Sequence, residues 1–481
     1  MKVFIITFFL VVFSFPAKAN EVIIKGNAKS YSGLLLTFWC YDDQVTMSEK
    51  EIGSARVNED GSFEFKIQLN ETIHAFIHLN VFKGILYLEP GKTYEIILPQ
   101  KVEKLPEDEL NPYFEETEFN IKVLNASETD LNELIQKFNQ LYDNELTKNF
   151  QQFRGKLNKT VADSIIDKIE KGLPANNNLF FKDYKTYSYV SLRLMAYERN
   201  KEKLTENYFT GRPILLQNPA YMDLFNQLYT NYLSDYSRTR PGKQIPYYLV
   251  KEKSLSKIRL ALQETPCFKD LDFVDLIICK SLFDNFYKND YPREDLINMI
   301  DSIKNNGSGQ SKLIAANIYK RITTLLTGFP APEIELPDVS DNMIMLSQFR
   351  GKFIYLSFIN PRSYTCLQEL EILKKLKAAN PEMLDLVSIC ICDNINQMKQ
   401  LVNANGYGWP FLFYSKKTEF LKLYNIHSYP TYYLINPDGN LSMSPAFPPS
   451  EPSFISRYVD ILKAWKTEQE RKKSKGKGTR N

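Results

Sequence analysis

Two polar side chains with different chemistry stand three positions apart in the C-terminal part of the chain. Ser363 and Cys366 come just before an amphipathic stripe over 367–379, which predicts a helix. At a helix N-terminus, unsatisfied N–H groups and the macrodipole stabilise a thiolate and lower the pKa of its cysteine. A serine hydroxyl is hardly ionised at neutral pH and cannot form a disulfide. Cys366 is therefore the member of the pair that is capable of thiol chemistry.

The sequence leaves three interpretations of Cys366 open. It is a buried and inert core residue, as free cysteines often are. Alternatively it acts as a single thiol that traps a partner or is oxidised reversibly. In the third interpretation it pairs with Cys390 or Cys392, which requires the two Cα atoms to come within about 7 Å. Cys390 and Cys392 themselves are expected to be small apolar core residues.

The elements around this motif alternate between strand and helix. Continuous apolar runs predict strands at 353–359, 384–392, 411–414 and 431–435, and helical stripes fall at 367–379, 396–404 and 454–465. Pro437-Asp438-Gly439 is a hairpin-type turn. This alternation predicts an α/β layer with a central sheet.

The rest of the chain divides by pattern into several regions. Residues 20–105 carry short alternating strands between Gly and Pro turns, which predict a small antiparallel β-sandwich. Residues 106–328 carry helical stripes and predict a helical region. The basic segment 467–481 cannot bury apolar surface and is expected to be a disordered tail. That tail could touch anionic surfaces, although a merely solvated tail is the simpler expectation.

The N-terminus predicts export. Lys2 is followed by a 13-residue uncharged run and then by Ala17-Lys18-Ala19. This is the pattern of a secretory signal peptide, 1–19, with cleavage expected after Ala19. The run is short for a bilayer span, and no later segment is long and apolar enough to be one. The mature protein is expected to be soluble.

Composition excludes several classes of function. The 481 residues carry a net charge of only +3, so nothing in the overall balance demands a nucleic acid partner. Six cysteines are too few for a disulfide scaffold, although Cys267 and Cys279 could pair. His74 and His78 have metal-like spacing, but on a strand they would lie about 13 Å apart. No metal or cofactor is expected.

Several segments in order carry a family resemblance. Ala331-Pro332-Glu333 and Gln348-Phe349-Arg350-Gly351-Lys352 precede the strand that leads to the Ser363–Cys366 motif. The segment Ile426-His427-Ser428-Tyr429-Pro430-Thr431 follows about sixty residues later. Together they resemble a TlpA/ResA-type, AhpC/TSA-like thioredoxin domain over 329–466. The resemblance implies a thioredoxin-like fold for that part of the chain.

The resemblance also implies roles for individual residues. Ser363 takes the position of the family's attacking cysteine, and Cys366 that of the resolving cysteine. Glu369 matches an acidic residue that handles protons, and Pro430 matches the cis-proline beside the pair. Arg362 replaces the usual tryptophan. Without the attacking cysteine, ordinary cycling of two thiols is not expected, and neither is peroxidase activity.

A groove for a partner's backbone is implied beside Pro430, with Arg362, Tyr364, Tyr429 and Thr431 along it. The whole architecture resembles exported proteins of Bacteroidota with an N-terminal DUF4369-like domain, through Asp60–Phe63 and Tyr87–Gly91. The expected protein is periplasmic, with redox activity lost or limited to a single thiol. The alternative is a non-catalytic envelope module whose groove, sandwich and helical region hold a protein or peptide partner.

Overall fold

The computed structural model of the chain describes residues 20–105, 108, 111, 113–156, 158–288, 290–379, 384–415 and 418–477. The predicted signal peptide, 1–19, and the last residues of the predicted tail lie outside this part. The described chain divides into two units. One contains 20–104 and 115–319, so the predicted sandwich and most of the helical region belong together. The other contains the described residues of 105–114 with 320–477.

The N-terminal strands form a sandwich. They are β1 (Glu21–Asn27), β2 (Leu35–Asp43), β3 (Ser48–Arg56), β4 (Ser62–Gln68), β5 (Ile73–Leu79), β6 (Phe82–Leu88), β7 (Thr93–Ile97), β8 (Thr117–Asn120) and β9 (Lys122–Val123). The two sheets have the strand orders β4-β1-β7-β9 and β3-β2-β5-β6-β8. Side chains from both sheets share one hydrophobic core. Gly26 is needed where β1 meets β7, because a Cβ there would lie 2.3 Å from the carbonyl oxygen of Ile96.

Strands β8 and β9 depart from the prediction, which placed them in the helical region 106–328. β8 lies parallel to β6, and β9 lies antiparallel to β7. Each strand thus extends one of the two sheets. The hydrogen bonds that hold them come from distant strands, so tertiary pairing overrides the weak local pattern.

The helices of the N-terminal unit follow. They are α1 (Leu131–Lys156), α2 (Lys159–Gly172), α3 (Leu179–Ala196), α4 (Lys201–Tyr208), α5 (Pro219–Tyr229), α6 (Tyr232–Tyr236), α7 (Ile245–Val250), α8 (Leu255–Gln263), α9 (Leu271–Phe286), α10 (Arg293–Asn306) and α11 (Gly309–Thr323). Asparagine caps start four of them, since the side chains of Asn158, Asn178, Asn200 and Asn218 each accept a backbone N–H of the first turn. The boundaries of α2 to α5 therefore have a local cause.

Polar contacts join the sandwich to the helices. Asn132 of α1 pairs with both backbone groups of Tyr87 on β6, at 2.8 and 2.9 Å. The turn between β2 and β3 also reaches the helices: Gln44 donates to the carbonyl of Leu216 at 2.9 Å, and Asn226 donates to the carbonyl of Gln44 at 2.9 Å. These contacts explain why both regions form one unit.

A buried carboxylate organises that turn. Asp43 is fully buried and accepts the backbone N–H groups of Val45 and Thr46 at 2.9 and 2.7 Å. Asn317 of α11 donates to the same carboxylate at 2.9 Å. A buried charge is tolerated only when it is hydrogen-bonded, and Asp43 meets that condition through partners from both regions.

The C-terminal unit contains an α/β layer. Its elements are β10 (Glu335–Pro337), β11 (Met343–Met345), β12 (Ile354–Ile359), α12 (Tyr364–Ala379), β13 (Asp385–Ile391), α13 (Ile395–Asn405), β14 (Phe411–Tyr414), α14 (Thr418–Leu423), β15 (Thr431–Ile435), β16 (Leu441–Met443) and α15 (Ser453–Lys477). The central sheet has the order β14-β13-β12-β15-β16. Strands β12, β13 and β14 run parallel to one another, β15 runs antiparallel to β12, and β16 runs antiparallel to β15. Hydrophobic cores cover both faces. The predicted multidomain fold, with a β-rich N-terminal part, a helical centre and a thioredoxin-like C-terminal domain, is confirmed.

The last helix is longer than predicted. α15 continues from the predicted 454–465 to Lys477, into the segment 467–481 that the sequence pattern assigns to a disordered tail. Lys, Arg, Glu and Gln have favourable helix propensities, so this segment can extend a helix that is already packed. Trp465 fixes the helix by packing on Phe353, with ring centroids 5.7 Å apart. Among the helices described, none is both long and apolar enough to cross a bilayer.

Candidate functional site at the Ser363–Cys366 motif

The motif lies where β12 ends and α12 begins. Asn360 shapes this connection, since its side chain accepts the N–H of Arg362 at 2.9 Å and its carbonyl accepts the N–H of Ser363 at 3.0 Å. The site therefore occupies the carboxyl end of the parallel strands, where α/β sheets commonly bind ligands.

Ser363 caps the helix. Its hydroxyl oxygen accepts the backbone N–H of Cys366 at 3.4 Å, and its carbonyl accepts the N–H of Leu367 at 3.2 Å. This is the position of an N-cap serine, which satisfies a donor that the helix itself leaves unpaired. The Ser363 hydroxyl therefore has a structural role, at the position where the resemblance predicts the family's attacking cysteine.

Cys366 lies beneath Ser363 in the core of the domain. Its exposed fraction is 0 %, and it packs in the same hydrophobic cluster as Leu370. Burial raises the pKa of the Cys366 thiol, although contacts with Ser363 and the backbone of Asn360 partly oppose the rise. Cys366 is a free thiol, as are Cys390 and Cys392. This environment corresponds to the first interpretation of Cys366, a packed core residue.

Glu369 lies one turn further along α12. It is only 7 % exposed, and its carboxylate accepts the backbone N–H of Ser450 at 3.1 Å as well as the Ser450 hydroxyl. Its charge also contributes to the raised pKa values of Cys366 and Tyr432. The loop around Ser450 thus holds the carboxylate in place, and its charge acts on the Cys366 thiol.

Pro430 stands on the other side of the site. The Tyr429–Pro430 peptide bond is cis, and Thr431 pairs with Phe358 near the end of β12. Thr431 in turn closes a local turn by donating to the carbonyl of Ser428 at 2.7 Å. These contacts place Pro430 beside the end of the strand that delivers the motif.

An open pocket of about 480 Å³ separates α12 from the Pro430 loop. Its walls include Thr365, Glu369, His427, Pro430, Thr431 and Pro448. Three of the predicted groove and site residues, Glu369, Pro430 and Thr431, therefore line one pocket.

Other predicted groove residues lie elsewhere. Arg362 forms a 2.6 Å ion pair with Asp393, Tyr364 is 73 % exposed, and Tyr429 packs against the hydrophobic cores. None of the three is among the residues that line the pocket described above. The sequence reasoning missed Ser450 and Asp393, because neither carries a local signal for its long-range partner.

The other candidate residues are separate from this site. Cys267 and Cys279 are both buried free thiols. His74 and His78 both lie on β5, as predicted, and have different environments. His74 stacks on Tyr87 with ring centroids 4.9 Å apart. The described residues contain no cluster of His, Cys, Asp and Glu that could hold a metal ion.

His78 is held between two carboxylates. Its Nδ1 lies 2.6 Å from Glu116, a hydrogen-bond distance, and its Nε2 lies 3.4 Å from Glu49, in a longer ion pair. Burial disfavours the charged imidazole, but the hydrogen bond to Glu116 and the charges of Glu116 and Glu49 outweigh it and raise the pKa of His78 to about 9. His78 is thus a charged structural residue near neutral pH.

Comparison with known proteins locates the family resemblance in the C-terminal domain. Residues 327–444 match the model of the AhpC/TSA family. The thiol-disulfide oxidoreductase ResA of Bacillus subtilis is 23 % identical over 141 residues, which cover 29 % of this chain and 78 % of ResA. ResA of Geobacillus kaustophilus is 22 % identical over 129 residues, or 27 % of this chain and 74 % of that protein.

The chain was also compared with solved structures. The thioredoxin domain of a thiol-disulfide oxidoreductase from Bacteroides vulgatus is 21 % identical, with a TM-score of 0.26, and the match covers 29 % of this chain and 98 % of that domain. The resemblance of residues 20–105 to the DUF4369 type stays a prediction. For the C-terminal domain the predicted resemblance is confirmed: its residues 327–444 match the AhpC/TSA family, and it is similar to the ResA thiol-disulfide oxidoreductases.

Proposed function

We propose that this protein is an exported relative of the thiol-disulfide oxidoreductases whose Ser363–Cys366 motif no longer exchanges disulfides. One observation carries the proposal: Ser363 caps α12 while Cys366, the remaining sulfur of the motif, has an exposed fraction of 0 %. Disulfide exchange begins with attack by an accessible thiolate. Ser363 is half-buried and offers a hydroxyl in place of a thiol, so the motif presents no accessible thiolate.

The chemistry of Cys366 limits what one thiol can do. Burial raises its pKa, so the fraction present as thiolate at neutral pH is smaller than for an ordinary cysteine. A partner disulfide would also have to reach a sulfur with no exposed surface. We therefore expect little single-thiol activity at Cys366, and we favour a complete loss of disulfide exchange at this motif.

Reduction of insulin by dithiothreitol tests this proposal. The wild type should accelerate the reaction little, whereas Ser363→Cys should restore acceleration by placing a thiol at the helix N-terminus. Ser363→Ala is the matched control, because it removes the cap without adding sulfur. The double variant Ser363→Cys, Cys366→Ala should lose the gain. Wild-type turnover equal to that of Ser363→Cys would contradict the proposal.

A second candidate function is the binding of a protein segment beside Pro430. The pocket of about 480 Å³ supports it, because that pocket combines the apolar Pro430 and Pro448 with the polar Glu369 and Thr431. Such a mixture of apolar walls and a few polar groups is typical of binding sites. Ser363 is not among the residues that line this pocket, so binding there does not require a thiol at position 363.

Photocrosslinking distinguishes this candidate. A benzoylphenylalanine at Thr365, on the pocket wall, should capture a defined envelope protein. The same group at Lys375, on an exposed position of α12 outside the pocket, serves as the control. Equal capture from both positions would contradict binding in the pocket. Non-reducing gels with a Cys366→Ala control would separate trapping by the thiol from binding alone.

Export to the periplasm is part of the proposal and has its own test. The predicted signal peptide 1–19 supports it. The N-terminal sequence of the protein purified from the envelope fraction should begin at Asn20. A full-length chain that still begins at Met1 and is found in the cytoplasmic fraction would contradict export.

A further inference from the structure

Two thiols outside the family motif lie within contact distance. Cys390 is near the end of β13, and Cys392 follows directly after that strand. The thiol of Cys390 donates to the sulfur of Cys392 with 3.6 Å between the two Sγ atoms. Residues two apart on a strand point to the same face, which accounts for the meeting of the two sulfurs.

A disulfide between the two cysteines requires a local change of the backbone at Cys392. Two residues along a strand span about 6.6 Å, which lies within the range of Cα separations that disulfides adopt. The sulfur atoms need to approach by about 1.5 Å to reach a bond length of about 2.05 Å, and the two Cβ atoms must come to about 3.8 Å, closer than an extended strand holds residues two apart. Cys392 lies just outside β13, but its backbone N–H donates to the carbonyl of Tyr414 on β14 at 3.3 Å, so closing the disulfide breaks this hydrogen bond while the paired residues of β13, β12 and β14 stay in register.

The environment distinguishes the two sulfurs. The hydrogen bond from Cys390 lowers the pKa of Cys392, and the backbone of Met398 and Asn394 at the start of α13 lowers it further, against burial and the charge of Asp393. The Cys392 thiol itself donates to the carbonyl of Asn394 at 3.3 Å. The pKa of Cys390 is raised by its hydrogen bond to Cys392 and by burial. Cys392 therefore loses its proton first.

Exposure gives the same order. Cys392 is 4 % exposed, while Cys390 and Cys366 have exposed fractions of 0 %. A small molecule reaches such a sulfur more easily than a folded protein does. The adjacent Asp393 is held by Arg362 in an ion pair whose side chains are 44 % and 68 % exposed. Exposed ion pairs of this kind are weak, so this pair adds little to the cost of opening the segment around Cys392.

We propose that Cys390 and Cys392 form a redox-active dithiol that reduces low-molecular-weight disulfides. The Cys392 thiolate attacks one sulfur of the disulfide, forms a mixed disulfide and releases the first thiolate. Cys390 then gives up its proton and attacks the Cys392 sulfur, which releases the second thiol. Two electrons pass from the cysteine pair to the small disulfide, and an intrachain disulfide remains.

This dithiol is independent of the proposed loss of exchange at Ser363–Cys366. It uses other sulfur atoms, and Cys366 enters only as a neighbour whose charge contributes to the raised pKa of Cys390. The insulin assay tests the family motif, whereas peptide mapping of Cys390 and Cys392 tests the dithiol. A negative result in one assay therefore does not change the interpretation of the other.

The experiment treats the full-length protein with hydroxyethyl disulfide, blocks free thiols by alkylation and maps tryptic peptides. Cys390 and Cys392 share the peptide 378–399, and Cys366 lies in the separate peptide 363–374. The expected product is peptide 378–399 lighter by two hydrogens and without alkyl groups, with Cys366 alkylated after denaturation. The Cys366→Ala variant should give the same product.

The attacking sulfur has its own test. Cys390→Ser should accumulate the hydroxyethylthio adduct on Cys392, whereas Cys392→Ser should accumulate much less on Cys390. Circular dichroism would confirm that both variants fold. Complete alkylation of both cysteines in the treated wild type would overturn the proposal. A disulfide that joins Cys366 to the peptide 378–399 as the main product would also overturn it.

Discussion

Replacement of His78 by Gln removes a charge that the structure holds between Glu116 and Glu49. The pKa of His78 rises from 6.5 to about 9, that is by about 2.5, and a pKa change of one corresponds to about 1.36 kcal/mol. The upper bound for the stabilisation is therefore about 3.4 kcal/mol. The His78 side chain is 25 % exposed, so solvent screens part of this, and we expect about 2 kcal/mol.

The pH dependence carries the test. Because the folded-state pKa lies above the ordinary value, the stabilisation is complete below about pH 6.5 and is lost as the pH rises through about 9. His78→Gln should thus destabilise the N-terminal unit at pH 6 and much less at pH 10. Urea unfolding, read by a short pulse of hydrogen–deuterium exchange on peptides covering 73–79, follows this unit alone.

A matched variant isolates the partner. Glu116→Gln should lower stability in the same pH window, and combining it with His78→Gln should add little, since both changes remove one interaction. An equal loss at pH 6 and pH 10 would refute an electrostatic origin and indicate lost packing instead. Full additivity of the two changes would refute the assignment of Glu116 as the main partner.

Three further changes test other parts of the structure. Burial lowers the pKa of His74 to about 4, so the wild type should lose stability relative to His74→Phe as the pH falls from about 6.5 towards 4, in acid unfolding. Arg259→Leu leaves the fully buried Asp275 carboxylate without its ion-pair partner and should cost about 3 kcal/mol in urea unfolding, more than Asp275→Asn. Glu369→Ala leaves the N–H and hydroxyl of Ser450 unpaired and should cost about 1 to 3 kcal/mol in thermal unfolding of the C-terminal unit.

Much of the C-terminal domain is predictable from local signals. The apolar run of β12 is buried at every position, and its flanks carry recognisable turns and motif residues. The order of strands and helices after it follows from alternating patterns. The same local signals identify Ser363 and Cys366 as residues three positions apart at the start of a helix.

The interactions that define the site have no such signal. Ser450 meets Glu369 from 81 positions away, and Asp393 meets Arg362 from 31 positions away. Cys390 and Cys392 are core residues as predicted, but their sulfur contact depends on side-chain orientation at the end of a strand. Tertiary packing decides each of these, and a single sequence shows only the separate residues.

The turn between β2 and β3 also constrains the order in which the chain can complete its fold. The hydrogen bond between Asp43 and Asn317 spans 274 positions. A ribosome that has released only the strands of the sandwich has not yet made the amide that this carboxylate needs. Until α11 has emerged, Asp43 has only the partners of its own turn, Val45 and Thr46, so the environment of this turn is completed late although its strands are made first.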